Sequence, residues 1–207
     1  MTAGSAHRPE AKPVALITGG GTGLGRAIGV ALAEDGYNLV IASRSAEHLA
    51  SGAGELRGHG ARVIEAPTDV RLPEQVDHLM SRAREEYGRL DVLVNNAAGN
   101  FVSPAEKITP NGWRAVVGIV LDGTFFCSKA ALPLLQRSPT PAIVNIVASY
   151  AWMAGPGTAH SASARITARA SRARAVRPAR SRRSASARSR HSASARINRA
   201  AASSAAR

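Results

Sequence analysis

Residues 13–37 read PVALITGGGTGLGRAIGVALAEDGY, and the architecture of the chain follows from them. The first part is a short apolar run ending in glycines, the pattern of a buried strand. The last part places Ile28, Ala31 and Leu32 on one face of a helix that stops at Gly36. Between the two lie Thr18, Gly19, Gly20, Gly21, Thr22, Gly23, Leu24 and Gly25. Glycines there permit a tight turn and let backbone N–H groups approach an anion, which the positive end of the following helix dipole stabilises. A glycine run alone is weak evidence. With a strand before it and a helix after it, this one predicts a nucleotide pyrophosphate site at Gly19, Gly21, Thr22, Gly23, Leu24 and Gly25.

The alternation continues outward. NLVIASR is a second buried strand, a helix spans about 46–58, ARVIEAPTDV is a third strand, and a helix runs from Pro73 to Tyr87. LDVLVNNAAG is a fourth strand, a long helix runs from about Pro110 to Gln136, and AIVNIVAS is a fifth strand. Continuous apolar strands alternating with amphipathic helices predict an α/β fold, a Rossmann-type doubly wound parallel sheet covered on both faces.

In such sheets ligands sit at the carboxyl ends of the strands. At the end of the second strand, where an acid would accept from a ribose 2′-OH, stand Ala42, Ser43 and Arg44. An arginine without an acid welcomes a 2′-phosphate, so NADP(H) is the expected cofactor, with Ser43 and Arg44, and Arg26 as a second cation. The alternative is that Arg44 is a solvated loop residue. Asp69 and Val70 end the third strand, where Asp69 is placed to accept from an adenine amino group. Asn95, Asn96 and Ala97 end the fourth, where the amides brace backbone around the cofactor. Each of these is also an ordinary capping group.

The net charge of +13 does not belong to the fold. Residues 1–164 hold 14 Lys/Arg and all 14 Asp/Glu, so the excess is the 13 Arg of residues 165–207. That segment has only Ile166, Val176 and Ile197 as large apolar residues and no acid or aromatic, which predicts disorder or a frayed helix. The expected organisation is a flexible leader over 1–11, an NADP-binding domain over 12–164 that is incomplete on its C-terminal side, and a disordered basic tail over 165–207. One cysteine, Cys127, fits a reducing compartment and reads as a buried small hydrophobe. The six histidines have no ligand spacing, so no metal is expected. No apolar run approaches the ~18 residues of a membrane span and the leader lacks a secretory pattern, so no membrane partner and a cytoplasmic location are expected.

Together, TGGGTGLG, TDV, NNAAG and IVNIVAS resemble the short-chain dehydrogenase/reductase family in order and spacing, over about residues 12–164. NNAAGNF, SPAEKITPNGW, IASR and SASA look most like the 2,4-dienoyl-CoA reductases, with the trans-2-enoyl-CoA reductases next. Typical family members use a strand serine and a Tyr-x-x-x-Lys pair; here those places hold Ala148, Ser161 and Arg165. The dienoyl-CoA reductases instead carry a tyrosine at the end of the fifth strand, fifteen residues before the lysine, and an asparagine after NNAAG. Tyr150 and Asn100 match those positions. The resemblance implies hydride delivery from NADPH to a conjugated acyl-CoA thioester. Tyr150 and Asn100 would donate to the thioester oxygen as charge develops there, with Arg165 in the lysine place. It further implies acyl-CoA contacts at Arg71, Phe101 and Thr109, and homo-oligomers formed through the long helices. The bland readings are a solvated arginine, a core aromatic and a helix N-cap.

After Arg165 nothing matches the family pattern. The change to an Ala/Arg/Ser tract predicts a reading-frame shift near residues 165–170, testable by translating the coding DNA in its other frames. Two other functions stay open: a generic short-chain reductase of carbonyl substrates, and an inactive product whose tail binds polyanions without specificity to any nucleic acid.

Overall fold

The computed structural model describes residues 12–170, without the side chains of Tyr150 and of residues 168–170. Five parallel strands form one sheet: β1 (Val14–Thr18), β2 (Asn38–Ser43), β3 (Val63–Pro67), β4 (Val92–Asn95) and β5 (Ala142–Asn145), in the order β3-β2-β1-β4-β5. The connecting helices are α1 (Gly23–Glu34), α2 (Ala46–Gly58) and α3 (Pro73–Tyr87), then α4 (Pro110–Val117), which passes through a π-helical turn at Gly118–Asp122 into α5 (Gly123–Leu135).

The period-2 alternation of β1 divides the core. Val14 and Leu16 face a layer of α3 and α5 that includes Leu79, Met80, Cys127, Ala131 and Leu134. Ala15 and Ile17 face α1 and α2 through Ile28, Leu32, Leu49 and Leu56. Both faces of the sheet are therefore covered across β2, β1 and β4, as the continuous apolar strands require, while edge strand β5 is exposed at Ala142 and half-buried from Ile143 to Asn145. In α1, Ile28 and Leu32 are buried as expected, whereas Ala31 is half-buried and Gly29 and Ala33 take the inner face.

The strands are shorter than the apolar runs that encode them. After Pro67 and after Asn95 the chain leaves the sheet to build its carboxyl-end rim, beginning with the polar residues Thr68, Asp69 and Asn96. Cys127 is fully buried, and burial pushes its thiol up to about 12. A thiol reagent should therefore leave the folded protein unmodified and react fully in denaturant; rapid labelling of the native chain would contradict this packing.

Two features depart from the sequence reading. By length and mean hydropathy (1.6), the continuous helical stretch Pro110–Leu135 matches a membrane span, which the search for uninterrupted apolar runs does not register. Arg114, Asp122 and Lys129 stand exposed along it, while its buried side chains pack on the sheet, α3 and a further helix. That further helix, α6 (Ala159–Ala170), lies where the α/β pattern of the sequence fades and runs through position 165. Its inner face is made of small or polar residues, His160, Ser161, Ala162 and Ala164, with Ala164 against Val116 and Val120. Burial through alanine and serine leaves no apolar periodicity to read. The leader 1–11 and the tail from 171 lie outside the described residues.

Candidate cofactor site

Strand order reverses between β1 and β4, and parallel sheets open a crevice at the carboxyl ends of such a pair. A cavity of about 380 Å³ lies there. Its walls include Gly19, Thr22, Gly23, Leu24, Gly25, Ser43, Arg44, Asp69, Val70, Asn96 and Ala97, all predicted for the cofactor. Ala42, Thr68, Ala98 and Ile119 complete it. Ile119 comes from the π turn, a local departure from helical period that no periodicity reading anticipates.

The glycine loop is held shut on itself. Gly19 adopts φ +68°, and its N–H donates to the Ala42 carbonyl at 2.7 Å. A Cβ on Gly25 would lie 2.1 Å from the Gly19 oxygen and 2.6 Å from Asn96 Nδ2. Asn96 Nδ2 donates to the carbonyls of Thr18 (3.0 Å) and Gly19 (3.2 Å), and Thr18 Oγ1 accepts from the N–H groups of Asn96 and Ala97, both at 3.0 Å. Asn96 thus braces the loop, and Thr18 is a second brace that the sequence pattern does not assign to the site. Beside it, Asn95 Nδ2 donates to Asn145 Oδ1 (2.9 Å) and Ser128 Oγ (3.1 Å), tying β4 to β5.

The start of α1 suits an anion. Thr22 is an extended N-cap whose side chain makes no capping bond, and no acid stands in the first turn. The positive helix end is therefore not compensated by its own residues. A Cβ on Gly23 would meet nothing within 4 Å, so the space above that turn is open. The loop's close backbone approach and this uncapped helix start fit a dinucleotide pyrophosphate.

Two predicted cofactor residues do not line the cavity. Gly21 packs on α2: a Cβ there would lie 2.6 Å from the His48 oxygen, and a Cβ on Gly52 would lie 2.7 Å from the Gly21 oxygen. Arg26 turns to α2 as well, where its Nε pairs with Glu55 at 3.2 Å. A helix residue on the first turn of α1 has the neighbouring helix in reach, and the acid there takes its charge. Arg44 remains on the cavity wall, exposed.

Asp69 and Arg71 form a pair at the same rim. Arg71 Nε donates to Oδ1 (2.9 Å) and Oδ2 (3.0 Å), Nη2 to Oδ2 (2.5 Å), and the Arg71 N–H to Oδ1 (3.0 Å). The Arg71 side-chain hydrogen bond holds the Asp69 carboxyl below its ordinary range.

Asn100, Phe101, Thr109 and Arg165, expected at the substrate, do not line the cavity. Asn100 is exposed. Phe101 stacks at 4.3 Å on His160 and closes over Gly112. Neither ring nitrogen of the fully buried His160 has a hydrogen-bond partner among the described residues. Ser103 N–H donates to Gly157 O at 3.0 Å, pinning this loop to the start of α6. Thr109 is the N-cap of α4, its Oγ1 accepting from Gly112 N–H at 3.1 Å, which is the bland reading of that residue. Tyr150 lies in a 3₁₀ turn, Ser149–Ala151; its side chain is outside the described residues. On α6, Arg165 Nε donates to Ser161 Oγ at 3.1 Å, so the positions of the usual Tyr and Lys are adjacent although other residues hold them.

The family model for short chain dehydrogenases matches residues 13–171. The chain belongs to the short-chain dehydrogenase/reductase family. Among curated members it is 43% identical over 155 residues to a protein named probable 2,4-dienoyl-CoA reductase from Bacillus subtilis, covering 74% of this chain and 61% of that one. A peroxisomal 2,4-dienoyl-CoA reductase of Danio rerio is 37% identical over 153 residues, covering 73% and 51%. Among solved structures, a short chain dehydrogenase from Bacillus anthracis superposes with a TM-score of 0.72 at 39% identity, covering 76% of this chain and 66% of that one. An alcohol dehydrogenase from Thermococcus sibiricus, complexed with 5-hydroxy-NADP, gives 0.73 at 30% identity, covering 77% and 68%. The chain spans about half to three fifths of the length of those curated relatives. Within the family it resembles the 2,4-dienoyl-CoA reductases.

Proposed function

We propose that the protein binds NADP(H) in the β1/β4 crevice and reduces a conjugated acyl-CoA thioester. The observation that carries the cofactor reading is the end of β2, where Ser43 and Arg44 line the cavity and no acid stands. A 2′-phosphate would pair with Arg44, the pyrophosphate would lie over Thr22–Gly25, and Asn96 and Ala97 would flank the ribose near the nicotinamide. The bound nicotinamide supplies the hydride.

The remaining chemistry falls to the chain. Reduction at the far end of a conjugated thioester moves negative charge to the carbonyl oxygen, so donors aimed at that oxygen lower the barrier. The Tyr150 hydroxyl and the Asn100 amide are the donors assigned here by likeness to the dienoyl-CoA reductases. Arg165 keeps a positive charge in the lysine place, pinned by Ser161. Exposed apolar side chains on the two loops that bear Asn100 and Tyr150 support an acyl partner: Val102 and Met153 are 80% and 71% exposed, and Phe101 and Trp152 flank them.

The test is dinucleotide oxidation by the full chain with a dienoyl-CoA, an enoyl-CoA and a simple ketone. The dienoyl-CoA should turn over fastest, and Tyr150→Phe should lower kcat about 100-fold. Ketone turnover that survives Tyr150→Phe would replace this reading with a carbonyl reductase. Dinucleotide binding without any turnover would remove the catalytic assignment altogether.

A further inference from the structure

We propose that Arg71 makes the crevice selective for a 2′-phosphate by neutralising Asp69, so that Arg44 acts as unopposed positive charge at the adenosine end. The proposal rests on the NADP(H) reading above. Asp69 and Arg44 line one cavity, and Arg44 is near enough to stabilise the ionised Asp69. The Asp69 side chain is only 14% exposed, so water screens it poorly, and an unpaired carboxylate there would be felt by a phosphate bound at Arg44.

Arg71 meets both Asp69 oxygens from one side through Nε and Nη2. Its stem is seated as well: Cγ and Cδ lie 3.5 Å from the point where a Cβ on Gly118 would stand, at the first residue of the π turn. The guanidinium is thereby fixed between the carboxylate and the helix. The other candidate cation, Arg26, is matched by Glu55. With Arg71 in place the trio of Arg44, Asp69 and Arg71 carries one net positive charge; without it, none. Arg71 is in this sense a positioning residue that acts through Asp69, and no contact of its own with the dinucleotide is required.

The experiment is fluorescence titration of the full chain with NADPH and with NADH, the readout being the ratio of the two Kd values. NADH lacks the 2′-phosphate and reports whether the site is formed. Arg71→Met keeps a stem against Gly118 and removes the charge. It should reduce the preference for NADPH about tenfold while the NADH Kd stays within about twofold. Adding Asp69→Asn to Arg71→Met should restore the wild-type ratio. An unchanged ratio in Arg71→Met, or no restoration in the double variant, overturns the proposal and leaves the NADP(H) reading standing. Collapse of NADH binding in Arg71→Met also overturns it, because Arg71 would then hold the dinucleotide directly. A wild-type chain with no preference for NADPH overturns both.

Discussion

Gly25→Ala should abolish dinucleotide binding. The added Cβ would lie 2.1 Å from the Gly19 carbonyl oxygen, a backbone atom, and 2.6 Å from Asn96 Nδ2, which itself holds the loop. No side-chain rotation relieves the first clash, so α1 must move away from the loop. That movement parts the Gly19 turn from the helix start that together receive the pyrophosphate. Overpacking of this kind costs about 1–3 kcal/mol in stability, and the loss of aligned N–H donors should weaken binding at least ~100-fold. Ligand-induced thermal shift measures the binding, and far-UV circular dichroism shows whether the fold persists. Gly54→Ala is the matched control, since nothing lies within 4 Å of its Cβ in α2. It should raise stability by about 0.5–1 kcal/mol and leave binding intact. Normal dinucleotide binding by Gly25→Ala would refute the loop geometry.

Asp91→Ala should destabilise the fold by about 3–5 kcal/mol, a large part of the stability of a domain this size. Asp91 stands at the entry to β4 with its side chain 4% exposed. Oδ2 accepts from the Val14 N–H at 2.8 Å and from Arg89 Nε at 3.1 Å, and Oδ1 accepts from Ser138 Oγ at 2.5 Å. Its backbone joins the same junction: its N–H donates to the Val14 carbonyl at 2.8 Å, and its carbonyl accepts from Ala142 N–H at 2.9 Å. The carboxylate thereby fastens the amino ends of β1, β4 and β5. Alanine would leave a buried N–H and a buried hydroxyl without this acceptor while Arg89 loses the carboxylate. Asp91→Asn keeps an acceptor and should lose roughly half as much. Urea melts of the three proteins give the comparison, and equal midpoints would show that the junction contributes nothing.

Much of this architecture is legible in the amino-acid sequence alone. Strand runs such as NLVIAS and the glycine loop carry local signals that survive folding, because both sheet faces demand apolar residues and the turn demands glycine. Arg26 departs from its expected role for a tertiary reason: Glu55 is 29 positions away, and only the packing of α1 on α2 brings it to 3.2 Å. Thr109 serves as an N-cap because its place before Pro110 starts a helix, a signal that the sequence carries beside the substrate-contact reading. Helix α6 escapes a periodicity reading because alanine and serine can bury a face without marking it. The Asp69–Arg71 pair spans only two positions, yet spacing does not say whether the arginine meets its neighbour or a ligand.

All five strands run the same way, so one rim of the sheet collects every loop that touches the cavity, while the opposite rim is fastened by Asp91. Binding and folding are thereby assigned to opposite ends of the same strands. Such a chain can vary its ligand by exchanging residues at the carboxyl-end rim with little penalty to its scaffold. Selection for a new substrate should accordingly accumulate changes at the ends of β2, β3 and β4 and leave Asp91 and Ser138 untouched.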